Sequence, residues 1–287
     1  MLYKELVNVY EKLISTSSKL EKRDIISDFF SIVPEDILPF VTGLLAGYVF
    51  PKWKEKELGI GPRLLLKVIS KITGINEEKV EKFVYSSGDF GEGIQKAIEQ
   101  KKQQTFFDIK IDITYLMELF EKVSAYEGKG SQDKKIRYLS ELFSTASPIE
   151  ARYLSRTILE QMRTGAAEGI ILDAISKFSG IPRKEVEKAY LLTNDLGLIA
   201  LYSKRGIDEL SKLDVTVGRP LKPMLAQIAG SIDSALKDVE EPEMEVKYDG
   251  ARIQVHKSHN NIKIFSRRLE NITEALPEVL SELKITL

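Results

Sequence analysis

An internal duplication constrains this chain more than any other feature of its sequence. The segment that begins at Glu57 aligns without gaps with the segment that begins at Arg163, a shift of 106 residues. The matched positions include Gly59 with Gly165, Gly74 with Gly180, Asp89 with Asp195, and Gly91 with Gly197. Both segments place apolar residues three and four positions apart, which is the pattern of an amphipathic helix. A single duplication of this length predicts two copies of one helical unit related by pseudo-symmetry, and not a solenoid of many repeats.

The periodicity of the sequence changes between the two ends of the chain. The helical pattern runs from residue 1 to about 214, and from residue 243 onward apolar and polar residues alternate. The segments MEVKYDG, ARIQVHK and IKIFSRR are predicted as strands, with SHNN as the hairpin turn between the last two. A short helix is predicted over ENITEALPEVLSELKI. We therefore expect a duplicated all-α domain over 1–214, with repeats at about 1–105 and 110–210, and part of an α/β domain with an antiparallel sheet over 215–287.

Composition excludes several classes of protein. The chain of 287 residues has no cysteine, so disulfides and thiolate metal sites are excluded. No apolar run approaches the length of a membrane span, and the N-terminal segment has no signal-peptide pattern. The balance of 42 Lys and Arg against 43 Asp and Glu shows no global excess of positive charge. These features predict a cytoplasmic protein without a membrane partner, and any nucleic-acid interface must be a local basic patch.

Glycine-containing turns recur in both copies and allow two interpretations. A glycine turn that opens a helix exposes backbone N–H groups that bind phosphate, and two symmetric sets could hold a duplex on both sides of a central point. Alternatively, these glycines end helices in the left-handed conformation. Arg163 lies beside Thr164 and Gly165 and would add a cation to a phosphate site there. The first copy offers Gly59 and Gly61 at the corresponding place.

A lysine in the segment EVKYDGARIQVHK is a candidate nucleophile. Lys247 must lose its proton before it can attack, and neighbouring cations favour that loss. A two-residue hairpin turn, at His259–Asn260 or Asn260–Asn261, places Arg252 and Arg267 on one face, where they suit a triphosphate. A three-residue loop would separate them. The alternative is that Lys247 is a solvated cation and the arginines belong to the solvent-facing side of a hairpin.

Three short segments resemble a known enzyme family. KYDGAR resembles the active-lysine motif of the covalent nucleotidyltransferases, which are DNA ligases, RNA ligases and mRNA capping enzymes. RPLKPMLAQ resembles the segment that leads into the adenylation domain of ATP-dependent DNA ligases, and IFSRR resembles a second motif of that family. The duplicated helical region resembles the DNA-binding domain of archaeal and eukaryotic replicative ligases. From these motifs the chain is identified as a member of the archaeal-type ATP-dependent DNA ligases, with the resemblance covering its whole length.

The resemblance implies a reaction and roles for individual residues. Lys247 would attack the α-phosphorus of ATP and form a lysyl-AMP phosphoramidate, and Mg²⁺ would neutralise the leaving pyrophosphate. Glu245 would bond the adenine, Arg252 would contact the nucleotide and Arg267 its sugar-phosphate side. AMP would pass to the 5′-phosphate of a nick in double-stranded DNA, and the 3′-hydroxyl would displace it, during replication, repair and recombination. The resemblance also favours phosphate binding by the glycine turns.

The segment QQTFFDI resembles the clamp-binding motif of archaeal ligases. Gln103, Phe106 and Phe107 stand at the corresponding places, and the approach EQKKQQ is typical of an exposed loop. Paired aromatic residues there would anchor a sliding clamp. The alternative is that both phenylalanines fill the core at the start of the second repeat. A monomer is expected in either case.

Two further expectations concern metals and the extent of the chain. His256 and His259 have no third ligand nearby in the sequence, so no metal site is predicted and both are expected to be solvated. A ligase chain is expected to continue past residue 287, so this polypeptide alone should not seal nicks. Two other interpretations stay open: a non-catalytic module that binds nicked DNA or the clamp, and a nucleotidyltransferase that acts on RNA.

Overall fold

The structure, a computed structural model, describes residues 1–101, 110–128, 130–224, 228–237, 239, 241–243, 245–246 and 248–286. The described residues are mostly helical, with one two-stranded antiparallel sheet near the C-terminal end. This confirms the fold class expected from the sequence. None of the described helices is long and apolar enough to cross a bilayer.

The first half of the helical part contains a 3-10 turn, Lys52–Lys54, between its third and fourth helices. Its described helices are α1 (Tyr3–Ser15), α2 (Lys19–Ile32), α3 (Leu38–Ala46), α4 (Pro62–Thr73), α5 (Glu77–Ser87) and α6 (Phe90–Glu99).

The second half repeats this order. Its described helices are α7 (Ile113–Ser124), α8 (Ser131–Thr145), α9 (Pro148–Ile158), α10 (Glu168–Ser179), α11 (Arg183–Thr193) and α12 (Leu196–Arg205). A short helix, α13 (Ile207–Leu210), ends the helical part, and α14 (Ile232–Lys237) lies in the segment that follows it.

The duplication in the sequence reappears in the helix bounds. Helices α10 to α12 begin and end 106 residues after α4 to α6 at every terminus. The cause is repeated local chemistry. Asp89 and Asp195 cap α6 and α12, and each side chain accepts a backbone N–H bond three residues on. Gly74 and Gly180 end α4 and α10, each at φ +71°.

The upstream helices also correspond, but with a different shift. The buried residues of α2 recur 113 residues later in α8, and the pairs are Lys22 with Lys135, Ile26 with Leu139, Phe29 with Leu142, and Phe30 with Phe143. The shift changes from 113 to 106 because the first half carries seven extra residues between α3 and α4. This insertion contains the Lys52–Lys54 turn.

The two halves exchange helices and so share one core. Helix α6 packs on α9 and α12 on α3, while α4 packs on α8 and α10 on α2. At the centre, Tyr3 N donates to Ile111 O (2.8 Å) and Ile113 N donates to Met1 O (2.9 Å). This reciprocal pair is what a pseudo-two-fold axis produces. The halves therefore fold as one body, and the repeat limits given above remain predictions.

The sheet is a hairpin of β1 (Ile253–Ser258) and β2 (Asn261–Ser266). Ile253 pairs with Ser266 and Ser258 with Asn261, so His259–Asn260 is a two-residue turn. Helix α15 (Pro277–Thr286) packs against β2, as the sequence predicted.

The prediction of a strand over MEVKYDG was wrong for the described part of that segment. Residues 245–246 and 248–250 have no strand conformation. A strand is stabilised by ladder bonds to a neighbour, and among the described residues no backbone bonds a partner strand to this stretch. Val246 is 75% and Tyr248 86% exposed, so packing does not hold the segment either.

Candidate nucleic-acid interface and nucleotide site

The glycines that begin the two aligned segments lie before helices and do not end them. Gly59 (φ +58°) and Gly165 (φ +68°) each come three residues before the first residue of α4 or α10. The helix-ending interpretation therefore fits Gly74 and Gly180 but not these two. In both turns the glycine is exposed and its two neighbours are buried, so the glycine backbone faces solvent.

A buried lysine lies beneath each turn. Lys135 Nζ donates to Leu58 O at 2.7 Å, and Lys22 Nζ donates to Thr164 O at 2.5 Å. Each carbonyl directly precedes the exposed glycine. Lys22 is 9% and Lys135 6% exposed, so both ammonium groups lie inside the fold. The two lysines thus place a positive charge behind each turn at pseudo-symmetric positions.

These lysines also explain why the turns need glycine. A Cβ at Gly59 would lie 2.8 Å from Lys135 Nζ, and a Cβ at Gly165 would lie still closer to Lys22 Nζ. A side chain at either position would also meet an unfavourable positive φ. Gly61, the residue before α4, differs because nothing lies within 4 Å of its added Cβ and its φ is −93°.

Burial of the two ammonium groups is costly without a compensating anion. Taking an ion out of water costs several kcal/mol even after relaxation. Within the described residues, neither Lys22 nor Lys135 forms an ion pair with a carboxylate. A carbonyl satisfies one donor of each but supplies no negative charge. An anion bound at the exposed side of either turn would reduce this cost.

Arg163 adds an exposed cation at the second turn. Its side chain is 64% exposed and lies 3.6 Å from Asp89 Oδ2. Burial opposes ionisation of Asp89, but the Glu92 N–H and the Arg156 guanidinium donate to it, and the net effect lowers its pKa. Asp89 is thus already satisfied by the buried Arg156, which leaves the Arg163 guanidinium able to turn outward. Thr164 is buried and contributes its carbonyl, not its hydroxyl, to the outer surface of the turn.

The hairpin brings two of the nucleotide-site candidates together. Arg252 and Arg267 come directly after the Ile253–Ser266 pair in the same register, so they belong to one face of the sheet. Both are exposed, as is Glu245. Two guanidinium groups on one face fit a polyphosphate.

Several predicted site residues lie outside the described residues. They are Lys247, Gln103, Phe106 and Phe107. In the part of the chain that the structure describes, no cluster of three His, Asp or Glu side chains could hold a metal ion.

His256 has a structural role that the sequence did not indicate. The expectation that it is solvated was wrong. Its Nδ1 accepts a bond from Gly218 N at 3.0 Å, and its ring meets Phe265 edge-on at 5.0 Å. Burial lowers its pKa, which favours the neutral ring that this bond needs. Two positions earlier on β1, Gln254 bonds both N and O of Leu221, so the linker is held along this strand.

The insertion between α3 and α4 contacts the C-terminal part. Trp53 Nε1 donates to the Asp195 carboxylate at 3.1 Å, and the Arg219 guanidinium carbon lies 4.0 Å from the centre of the Trp53 ring. Glu55 accepts from Lys263 Nζ (3.0 Å) and from Asn271 Nδ2 (2.9 Å). The seven extra residues thus connect the helical part to the linker and the hairpin.

The family-model comparison matches residues 2–176 to "DNA ligase N terminus". The chain belongs to this DNA ligase family. A second family model, "ATP dependent DNA ligase domain", matches residues 223–287. Both glycine turns and both buried lysines lie in the first match, and Lys247, Arg252 and Arg267 lie in the second. The identification made from KYDGAR, RPLKPMLAQ and IFSRR is therefore confirmed.

Relatives of the whole chain carry the same name. DNA ligase of Thermococcus onnurineus is 43% identical over 289 residues, which is 100% of this chain and 51% of that protein. DNA ligase of Thermococcus fumicolans is 44% identical over 99% of this chain and 51% of its own length. DNA ligase of Methanothermobacter thermautotrophicus is 43% identical over 98% and 50%. The chain spans about half the length of the relatives it matches.

Sequence reasoning missed the buried lysines and the insertion of this ligase chain. The ungapped alignment began at Glu57, so it did not include α2 and α8, where Lys22 and Lys135 lie. A gapped search upstream would have found both by their shared spacing to the next apolar residues. The same gap would have marked the segment that holds Trp53 and Glu55.

Proposed function

We propose that this chain is the N-terminal part of an ATP-dependent DNA ligase that seals nicks in duplex DNA. In this proposal the helical part binds the sugar-phosphate backbone, and the segment before β1 supplies the nucleophile for AMP transfer. The observation that carries the DNA-binding half is the pair of glycine turns with a buried ammonium behind each.

The turns suit phosphate for three reasons that act together. Gly59 and Gly165 allow close approach of a backbone because they have no side chain. The turns lead into α4 and α10, whose N-terminal ends favour negative charge. Lys135 and Lys22 add a full positive charge that is held in place by burial. Pseudo-two-fold placement matches the two strands of a duplex, whose backbones are related by a local two-fold axis.

AMP transfer would begin with Lys247. Its neutral amine attacks the α-phosphorus of ATP, a nitrogen–phosphorus bond forms, and the bond to the pyrophosphate oxygen breaks with its electron pair. Arg252 and Arg267 would stabilise the charge on the phosphates from one face of the hairpin. Glu245 would bond the adenine. Mg²⁺ is expected to bind the phosphates of ATP with its waters, and no step is assigned to it through the described residues.

The described residues leave the nucleotide segment open. Val246 and Tyr248 are exposed, and Glu245 and Arg252 have no covering layer of side chains. Catalysis of phosphoryl transfer needs preorganised charges in a site that excludes water. We therefore expect these 287 residues to bind nicked DNA and to adenylate Lys247 slowly, without sealing nicks. A sliding clamp bound through Gln103, Phe106 and Phe107, a monomeric state and a cytoplasmic location complete the proposal.

Self-adenylation tests the proposal. The chain is incubated with α-labelled ATP and Mg²⁺, and acid-labile label should appear in wild type and be absent from Lys247→Ala. Lys257→Ala is the matched control, because Lys257 is an exposed lysine of the same hairpin. Binding of a nicked duplex is measured alongside. Binding without label would support the alternative of a non-catalytic DNA-binding module, and the absence of both would overturn the proposal.

A further inference from the structure

Two tyrosines and three cations form a patch on the second half of the helical part. We name it the tyrosine–cation patch, and its members are Lys122, Tyr126, Lys134, Arg137 and Tyr138. The two rings stack at 5.8 Å with an angle of 18°, and their hydroxyl oxygens are 3.3 Å apart. Lys134 Nζ lies 4.9 Å from the centre of one ring, and Arg137 Cζ 5.2 Å from the centre of the other. The stack therefore orders two cations that would otherwise be mobile.

The local field at this patch is positive. The pKa of Tyr138 is lowered by the hydrogen bond from Tyr126 and then by Arg137, with a further contribution from Lys122. A phenol is easier to ionise only where negative charge is favoured. All three cations are exposed, so an anionic ligand can reach them.

The patch adjoins the first glycine turn. Lys135, whose ammonium bonds Leu58 O, lies on α8 between Lys134 and Arg137. The residue before Lys122 on α7 is Glu121, which bonds Lys56 just upstream of the same turn. The two elements that carry the patch thus both contact the segment that carries Gly59.

The corresponding positions of the first half, all of them described, carry the opposite charge. With the shift of 113 residues that relates α2 to α8, Lys134 corresponds to Glu21 and Arg137 to Asp24. Asp24 is bonded by Arg23 and by Lys177, which lower its pKa to about 2. This position therefore carries fixed negative charge in one half and positive charge in the other.

Tyr126 lies in a loop that is longer than its counterpart. Buried residues of α1 and α7 correspond with a shift of 110, as Tyr10 with Phe120 and Leu13 with Val123. The shift of 113 between α2 and α8 means that the second half has three extra residues between these helices. The longer loop supplies one ring of the stack, so the patch depends on a feature that the first half lacks.

We propose that the tyrosine–cation patch binds backbone phosphates of duplex DNA beyond the first glycine turn, on one side of the bound site only. The inference rests on the proposed function, because it assumes that the glycine turns bind the same duplex. A two-fold arrangement of turns binds a duplex equally well in two orientations. One extra set of phosphate contacts makes one orientation more favourable. The patch thus supplies the direction in which the helical part lies along the DNA.

The charge-neutralised variant Lys134→Gln/Arg137→Gln tests this assignment in the 287-residue chain. The matched control is Lys79→Gln/Lys82→Gln, which removes two exposed cations of α5. Helix α5 begins after the C-terminal end of α4, about 18 Å along that helix from the glycine turn. Both variants change only exposed side chains, and their thermal unfolding is expected to match wild type.

Binding of a nicked duplex is measured as a function of salt concentration. The slope of log K against log salt falls by ~0.9 for each phosphate that the protein no longer neutralises, so the patch variant should show a slope smaller by about 2 and roughly tenfold weaker binding at 0.1 M salt. The control should keep the wild-type slope. Hydroxyl-radical footprinting should show that the patch variant fails to protect the DNA on one side of the nick only.

Each other outcome has a distinct meaning. If wild type binds no duplex, the proposed function and this inference both fail. If wild type binds and the patch variant keeps the wild-type slope and footprint, the inference fails while the proposed function stands. A variant that binds duplex normally but single-stranded DNA weakly would also overturn it, because that result indicates base stacking on the tyrosines and not phosphate binding.

Discussion

Lys22 and Lys135 occupy equivalent positions in the two halves of the helical part, and each donates to the carbonyl directly before an exposed glycine of the other half. The exchange of helices produces this crossing, since α2 packs on α10 and α8 on α4. Each turn therefore depends on a side chain from the opposite repeat. Neither repeat could form its turn alone, which explains why the two copies share one core.

The glycine turns give the first prediction. Gly59→Ala should destabilise the fold by about 1–3 kcal/mol, because alanine is strained at positive φ and its Cβ meets the Lys135 ammonium. Gly61→Ala is the control, since its Cβ has open space, and should cost less than about 1 kcal/mol. Chemical denaturation of the two variants measures the difference. Equal losses would show that the lysine contact does not constrain the turn.

The insertion between α3 and α4 gives the second. Trp53→Ala should release the linker, because it removes the ring that Arg219 covers and the donor to Asp195. Hydrogen exchange of the Gly218 and Leu221 amides should become at least tenfold faster. Glu55→Gln should have a smaller effect, because its partners are exposed and a surface ion pair contributes about 0–1 kcal/mol. Unchanged exchange in Trp53→Ala would mean that the strand side chains alone hold the linker.

His256 gives a prediction about pH. Its pKa in the folded chain is lowered by burial, below the value of about 6.5 expected for an unfolded chain. The unfolded state then binds more protons between these two values, so the stabilisation is complete above about pH 6.5 and is lost as pH falls toward the lower pKa. Proteolysis of the linker should accelerate between about pH 7 and about pH 5.5 in wild type. The variant His256→Gln should lack this dependence, and an NMR pKa of His256 at or above about 6.5 would contradict the account.

Local chemistry made much of the fold predictable from the sequence. The helix bounds of the aligned segments follow from repeated caps such as Asp89 and Asp195, and the hairpin follows from alternation around His259–Asn260. These signals depend on neighbours in the chain. Lys22 and Lys135 show no such signal, because each acts on a carbonyl on a different half of the molecule, 142 or 77 residues away.

The strand predicted around Val246 failed for a related reason. Alternation indicates which residues can share a face, but a strand also needs a partner for its backbone. No described residue pairs with that stretch. The same limit applied to His256, whose partner Gly218 comes from the linker and not from the strand pattern.

Binding of a nicked duplex by Lys22→Met/Lys135→Met tests the central claim most directly. Methionine is similar in length and apolar, so replacing two buried cations should leave stability unchanged or raise it. The account predicts that affinity nonetheless falls more than tenfold and that the salt slope decreases, while the control Lys4→Met/Lys12→Met, which changes two exposed lysines of α1, binds like wild type. Full affinity and an unchanged slope in a well-folded Lys22→Met/Lys135→Met chain would show that the buried charges do not serve DNA binding.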